Sequence, residues 1–276
     1  MKTILYIHGM GGGEDSRIPS ILNEWFGEHR PDVRVVVRTY DFNPDRAAAQ
    51  IDAWYDELRP DLVIGESLGS VHALALLARR SSWADGATTV RGCRDFDPSG
   101  GMHPQTVAPP SASNALPAFP LLLVSPALNG PVFFHRIRGL VRLRWFHRLM
   151  NHWYKAREGR RQFLDFTPEN MAAWGPHRAT ALAAASLVRP SEPGHPGPEG
   201  AFPEGSKSSQ LRGQGAPAPI HAFFGRRDHY RRTGIVSLKD WRRRFGPDTW
   251  TLYDGTHFME EEHLKALLIP AILQRL

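Results

Sequence analysis

Residues 62–78 read Leu62-Val63-Ile64-Gly65-Glu66-Ser67-Leu68-Gly69-Ser70-Val71-His72-Ala73-Leu74-Ala75-Leu76-Leu77-Ala78. The opening apolar run is too short for a helix and reads as a buried strand, while Ser70 to Ala78 reads as a buried helix. Ser67 stands at the joint, with a glycine two positions away on each side. At such a turn a serine must take an unfavourable backbone angle so that its hydroxyl stands clear, and a side chain at position 65 or 69 would collide with the turn. The pentapeptide by itself is weak evidence, since glycine near 7% and a similar share of serine match it by chance in roughly one chain of this length in ten. Its weight comes from the rest of the chain.

A serine on a strand-to-helix turn of this kind is followed in chain order by an acid and then a histidine, each just after a strand. Both partners are present. Ile220-His221-Ala222-Phe223-Phe224-Gly225 runs into Arg226-Arg227-Asp228-His229, and Thr249-Trp250-Thr251-Leu252-Tyr253 runs into Asp254-Gly255-Thr256-His257. Asp228 is the candidate acid and His257 the candidate base. Asp228 also admits a plainer reading, as a turn residue paired with Arg226 or Arg231. Asp254 lies too close to His257 to come from the expected strand, and Asp95 and Asp97 fall near or within a Pro/Gly-rich stretch. At the amino terminus, Thr3-Ile4-Leu5-Tyr6-Ile7 reads as a buried strand entering His8-Gly9-Met10-Gly11-Gly12-Gly13. Such a loop leaves backbone N–H groups free to stabilise a negative oxygen, and Met10 and Leu68 are the candidate donors.

Together these segments resemble the alpha/beta-hydrolase superfamily and, within it, the small bacterial YqiA-like esterases. The resemblance rests on His8-Gly9-Met10-Gly11, on Gly65 to Gly69, on Gly225 with Asp228 and on Gly255 with His257. It implies an α/β fold with a mainly parallel six-stranded sheet in the order 2-1-3-4-5-6, helices on both faces, a lid insertion between strands 4 and 5, and a site at the carboxyl ends of the strands. It also implies a serine esterase acting on a carboxylic ester or thioester through an acyl-enzyme. Ser67 is then the nucleophile, His257 the base and Asp228 the residue that orients it. His8, Gly9, Glu66, His229, Arg138 and Arg142 are the candidate substrate contacts, with His8 expected to order the loop rather than to transfer protons. The alternatives are a binding protein on the same scaffold, with the basic lid as its surface, and an acyltransferase.

The 276 residues with 41% hydrophobic content suit one compact domain. No signal peptide or membrane span is expected, because a buried strand begins within three residues and no apolar run approaches the roughly 18 residues a span needs. The expected location is the cytoplasm. The lone Cys93 cannot form an intrachain disulfide and is given no role. The glycine-rich loop is neither a phosphate loop, since Glu14-Asp15-Ser16 stands where lysine would be needed, nor a dinucleotide fingerprint, since Glu14 replaces the last glycine. Thirteen histidines include no pair with zinc-protease spacing. Neither metal nor cofactor is expected. The expected partner is a small acyl substrate, with an anionic one in view and no nucleic acid.

Strand and helix signals alternate along the chain as in a parallel sheet covered on both faces. Ile18, Leu22, Trp25 and Phe26 make a helical stripe, and Val33 to Arg38 a second strand whose arginines suggest a sheet edge. Asn43 and Pro44 open a helix that buries Ile51, Trp54, Tyr55 and Leu58. Leu121 to Val124 makes a fourth strand. Ser237 with Asp240 starts a helix through Trp241 and Phe245, and a last helix from Glu260 bends at Pro270. Residues 97–120 and 189–219, crowded with proline, glycine, serine and alanine, read as loose loops. Residues 130–188 form the expected lid. Within it, Phe133 to Arg161 carries eight arginines and Lys155 against Glu158, a net +8 in a chain of +6. The basic character is thus expected in one place, where it could recruit a carboxylate or phosphate, touch anionic lipid or nucleic acid, or simply solvate the lid. Phe134, Ile137, Val141, Trp145 and Leu149 recur there at helical spacing, interrupted by Arg138 and Arg148.

Overall fold

A computed structural model describes residues 1–84, 119–137, 139–140, 143–153, 160–187 and 219–276. Six strands form one parallel sheet: β1 (Lys2–Ile7), β2 (Val33–Val37), β3 (Leu62–Glu66), β4 (Leu121–Val124), β5 (Ile220–Gly225) and β6 (Trp250–Tyr253), in the order β2-β1-β3-β4-β5-β6. The expected order is the observed one. β2 lies at an edge, where exposed Arg34 reaches back to the Thr3 hydroxyl over 3.0 Å.

Alternate residues of each strand feed two cores, because both faces of the sheet are covered. On one face Ile4, Tyr6, Ile64, Leu122 and Val124 meet Ile18, Leu22 and Phe26 of α1 (Arg17–His29) and Leu264, Leu268 and Ile272 near the carboxyl terminus. On the other, Leu5, Val63, Leu123 and Phe224 meet α2 (Pro44–Leu58) and α3 (Gly69–Ala84). All the strand residues just named are essentially sealed from solvent.

The local signals act as their chemistry requires. The Asn43 side chain accepts from the N–H groups of Asp45 and Arg46, with Pro44 at the first helical position. α2 stops at Arg59, whose left-handed φ of 45° ends the turn before Pro60. Between β4 and β5 lie α4 (Gly130–Ile137), α5 (Arg144–Trp153) and α6 (Pro168–Ala183). Between β5 and β6, Ser237 caps α7 (Leu238–Phe245) by accepting from the Asp240 N–H. The chain closes with α8 (Glu261–His263), a π-helical stretch over Leu264–Leu268 and α9 (Ile269–Leu273). There the Ile269 N–H bonds the Leu264 carbonyl, so the helix widens just ahead of Pro270, which has no N–H to offer.

Two expectations about residues 130–188 need correction. The stripe from Phe134 to Leu149 is not one helix face, because α4 ends at Ile137 and α5 restarts at Arg144; Val141 lies outside the described residues. α5 turns Met150 toward the interior while Trp145 is 57% exposed. Nor is the whole segment a lid. α6 packs on α3 and α2, and its fully buried Trp174 sits among Phe42, Phe134 and His72, so this helix is part of the core. Arg138, Arg142, Cys93 and nearly all of 97–120 and 189–219 lie outside the described residues.

Candidate active site

Ser67 follows β3 directly and carries a φ of +51°, one of three non-glycine residues with positive φ among those described. That conformation costs on the order of 1 kcal/mol or more and persists only where the surroundings impose it. Here the Ser67 N–H donates to the Val124 carbonyl at 2.8 Å, while its own carbonyl accepts from Ser70 at 3.2 Å and Ala127 at 3.0 Å. Glycine is mandatory on both flanks. A Cβ at position 69 would sit 2.3 Å from the Ile7 carbonyl oxygen and 2.4 Å from that of His8; at 65 it would lie 2.9 Å from the Ala73 Cβ and the Ser70 Cα.

The ends of β5 and β6 bring the other two side chains to the same rim. The Ser67 hydroxyl lies 2.9 Å from His257 Nε2, and His257 Nδ1 lies 2.7 Å from Asp228 Oδ2. Asp228 Oδ1 accepts from the Tyr230 N–H at 2.8 Å, so both carboxylate oxygens are engaged. Asp228 and His257 are each 3% exposed. Among the described residues Asp228 forms no ion pair with Arg226 or Arg231; the Arg231 guanidinium instead donates to the carbonyls of Gly225 and Arg226. Gly225 lets the two loops approach, since a Cβ there would lie 2.1 Å from the Thr256 carbonyl oxygen.

Opposite Ser67 runs the loop after β1. A Cβ on Gly9 would stand 3.1 Å from that of Ser67, a tight contact that a larger residue there could make only by displacing the serine. Met10 and Leu68 both line the cavity in front of the hydroxyl, and among the described residues neither of their N–H groups has a hydrogen-bond partner. The loop is held from behind. Gln162, 1% exposed, accepts from the Gly11 N–H at 3.0 Å and donates to the carbonyls of Tyr40 and Asp41. Its own N–H donates to the Gly12 carbonyl at 2.7 Å. No local sequence pattern points to Gln162, because its partners lie about 120 to 150 positions away.

The remaining candidate contacts divide. Gly9 and Glu66 line the cavity. Glu66 accepts from the Tyr6 hydroxyl at 2.7 Å; burial raises its carboxyl pKa, against the pull of Tyr6, His257 and Arg17 toward the anion. His8 and His229 are corrected. His8 is fully buried, stacked on Tyr40 with ring centroids 4.2 Å apart and bonded through Nδ1 to the Gly9 carbonyl at 2.7 Å, and burial lowers its pKa to about 4. It orders the loop as a neutral ring and does not border the cavity. His229 is exposed; the next residue, Tyr230, lines the cavity and meets His257 edge-on at 4.6 Å.

The cavity holds about 610 Å³ and is mostly apolar, walled by Phe133, Phe134 and Ile137 of α4, Met150 and Trp153 of α5, and Phe166, Ile235 and Phe258. Arg17, Arg161 and Thr233 also line it. No group of three or more metal-ligating side chains occurs among the described residues.

No family model matches the chain. Among solved structures, it is similar to the monoacylglycerol lipase of Paleococcus ferrophilus, at 12% identity and TM-score 0.50 over 99% of this chain and 95% of that one. It is also similar to a protein from Agrobacterium vitis S4 with a hydrolase designation, at 13% identity and TM-score 0.52 over 100% and 88%. At these identities the likeness concerns the fold, which is that of the alpha/beta hydrolases. Among the described residues no helix is long and apolar enough to cross a membrane.

Proposed function

We propose that this chain is a serine hydrolase that cleaves a carboxylic ester or thioester bond. The observation that carries the reading is the unbroken hydrogen-bonded line Ser67–His257–Asp228, at 2.9 and 2.7 Å, opening on an apolar cavity. In this reading the Asp228 carboxylate holds the proton on His257 Nδ1, leaving Nε2 to accept from the serine hydroxyl. As Ser67 Oγ bonds to the substrate carbonyl carbon, its proton passes to Nε2. The carbonyl oxygen becomes an anion facing the Met10 and Leu68 N–H groups. The imidazolium then protonates the departing alcohol or thiol, and water, activated by His257, releases the acid from Ser67. Loss of one oxyanion donor would cost about 3 kcal/mol in the transition state.

The cavity supports an acyl or aromatic group of moderate size, since its lining is mostly aromatic and aliphatic. A fluorophosphonate probe tests the reading directly: covalent labelling and hydrolysis of p-nitrophenyl butyrate are expected, both lost in Ser67→Ala. That variant should turn over on the order of a millionfold more slowly while keeping its fold. Wild-type rates in Ser67→Ala would remove the serine from the mechanism.

A further inference from the structure

A second basic region lies outside the segment 133–161. Residues 226–244 carry seven arginines and Lys239 against Asp228 and Asp240, a net +6, equal to the formal charge of the whole chain. Five of these cations, Arg226, Arg227, Arg231, Arg232 and Lys239, line a concave groove of about 800 Å³, together with Asp228. Asp228 makes no ion pair with any of them: its two oxygens accept from His257 and the Tyr230 N–H. Arg227 faces Asp254 at 3.5 Å across an open surface. Among the described residues the other four have no carboxylate within ion-pair distance. The groove also receives the start of α7, whose positive end adds to the field.

We propose that this groove binds the phosphate or pyrophosphate group of a small molecule. Planar guanidinium groups and a lysine lining one open groove match a multiply charged oxyanion, which would relieve their mutual repulsion, with Arg226, Arg232 and Lys239 as the principal contacts because Arg227 bonds Asp254 and Arg231 bonds the Gly225 and Arg226 carbonyls. The segment 228–236 is a shared wall: Tyr230 and Ile235 face the apolar cavity, whereas Arg231 and Arg232 face the groove. Asp228 stands at the start of that wall, so occupancy of the groove bears on the group that orients His257. Phosphate binding does not depend on the serine-hydrolase reading; its coupling to turnover does. The phosphate could belong to the leaving group of the substrate or to a separate ligand.

Calorimetric titration of inorganic pyrophosphate into the full chain at low salt tests the site, run in Ser67→Ala as well so that binding is read without turnover. Saturable binding is expected, weakened about tenfold or more in Arg226→Gln/Arg232→Gln/Lys239→Gln. It should change about twofold or less in Arg30→Gln/Arg46→Gln/Lys265→Gln, which removes the same charge from exposed ion pairs elsewhere. Thermal unfolding of both triple variants verifies their fold. KM for butyryl-coenzyme A against S-butyryl-N-acetylcysteamine identifies the source. A preference for the former of about tenfold, erased by the groove variant, assigns the phosphate to the substrate. Equal KM values, with pyrophosphate altering kcat for both, assign it to a separate ligand. The proposal is overturned if wild type shows no saturable binding at millimolar pyrophosphate, or if both triple variants lose it equally. Binding with neither kinetic effect overturns the link to the triad.

Discussion

Replacing Asp228 by asparagine would invert the tautomer of His257, and the hydrogen bonds around the carboxylate say how. One oxygen accepts from the Tyr230 N–H at 2.8 Å and the other from His257 Nδ1 at 2.7 Å. An asparagine must keep its carbonyl oxygen on Tyr230, because the reverse orientation sets two donors face to face inside a sealed site, at about 1–3 kcal/mol. Its NH2 group then donates to Nδ1, which can only accept. The ring proton moves to Nε2, where it meets the Ser67 hydroxyl as a donor, and the serine loses its base. Mispositioned triads of this type lose about 10⁴ in kcat, near 5.5 kcal/mol at 1.36 kcal/mol per tenfold. KM should change little, since the apolar cavity walls are untouched. The volume is conserved and the Tyr230 bond survives, so the melting temperature should stay within a few degrees of wild type. Steady-state hydrolysis of p-nitrophenyl butyrate with parallel thermal melts measures both. An asparagine variant that keeps a tenth or more of wild-type kcat would refute the tautomer argument.

Gly69→Ala sets a Cβ against two backbone oxygens at 2.3 and 2.4 Å, and a loss of about 3 kcal/mol or more, read as a clear drop in melting temperature, is expected; an unchanged melt would contradict the close packing. Gln162→Ala leaves the Gly11 N–H buried without its acceptor, costing about 1–3 kcal/mol of stability. It should also lower kcat by loosening the loop of Met10, a change that stability measurements alone would not detect. Stability should fall with acid. Burial lowers His8 and His177 to about 4, below the ordinary histidine value near 6.5, so the unfolded chain takes up protons first. Their contribution is whole above pH 6.5 and is lost between 6.5 and about 4, by roughly 3 kcal/mol for each. Urea unfolding at pH 7, 5.5 and 4.5 checks this, and a flat profile across that range would show that these rings are not held neutral.

Much of the fold was legible because short-range chemistry specifies it. The inner strands β1, β3, β4 and β5 are largely apolar runs buried on both faces, and Asn43-Pro44 and Ser237 cap helices through neighbours two or three residues away. The distribution of charge is less legible: the arginines of 133–161 are dense in sequence, whereas the cations at 226–244 are split between a loop and a helix and share one groove only when the chain folds. Helical spacing likewise misled across residues 134–149, because periodicity carries on through a break that backbone geometry alone reveals.

Ser67, Asp228 and His257 stand out as candidates in the sequence because each lies just beyond a strand beside a glycine, where a Cβ would strike backbone oxygens at 69 and 225 and the Tyr253 and Glu260 side chains at 255. Residue type and local spacing settle such matters. Gln162 behind the loop after β1, Tyr230 against the imidazole, Trp174 in the core and the demotion of His8 and His229 depend on contacts between segments far apart in the chain. Nothing in a local pattern encodes them: which side chain fills a given space is decided by close packing of the assembled whole.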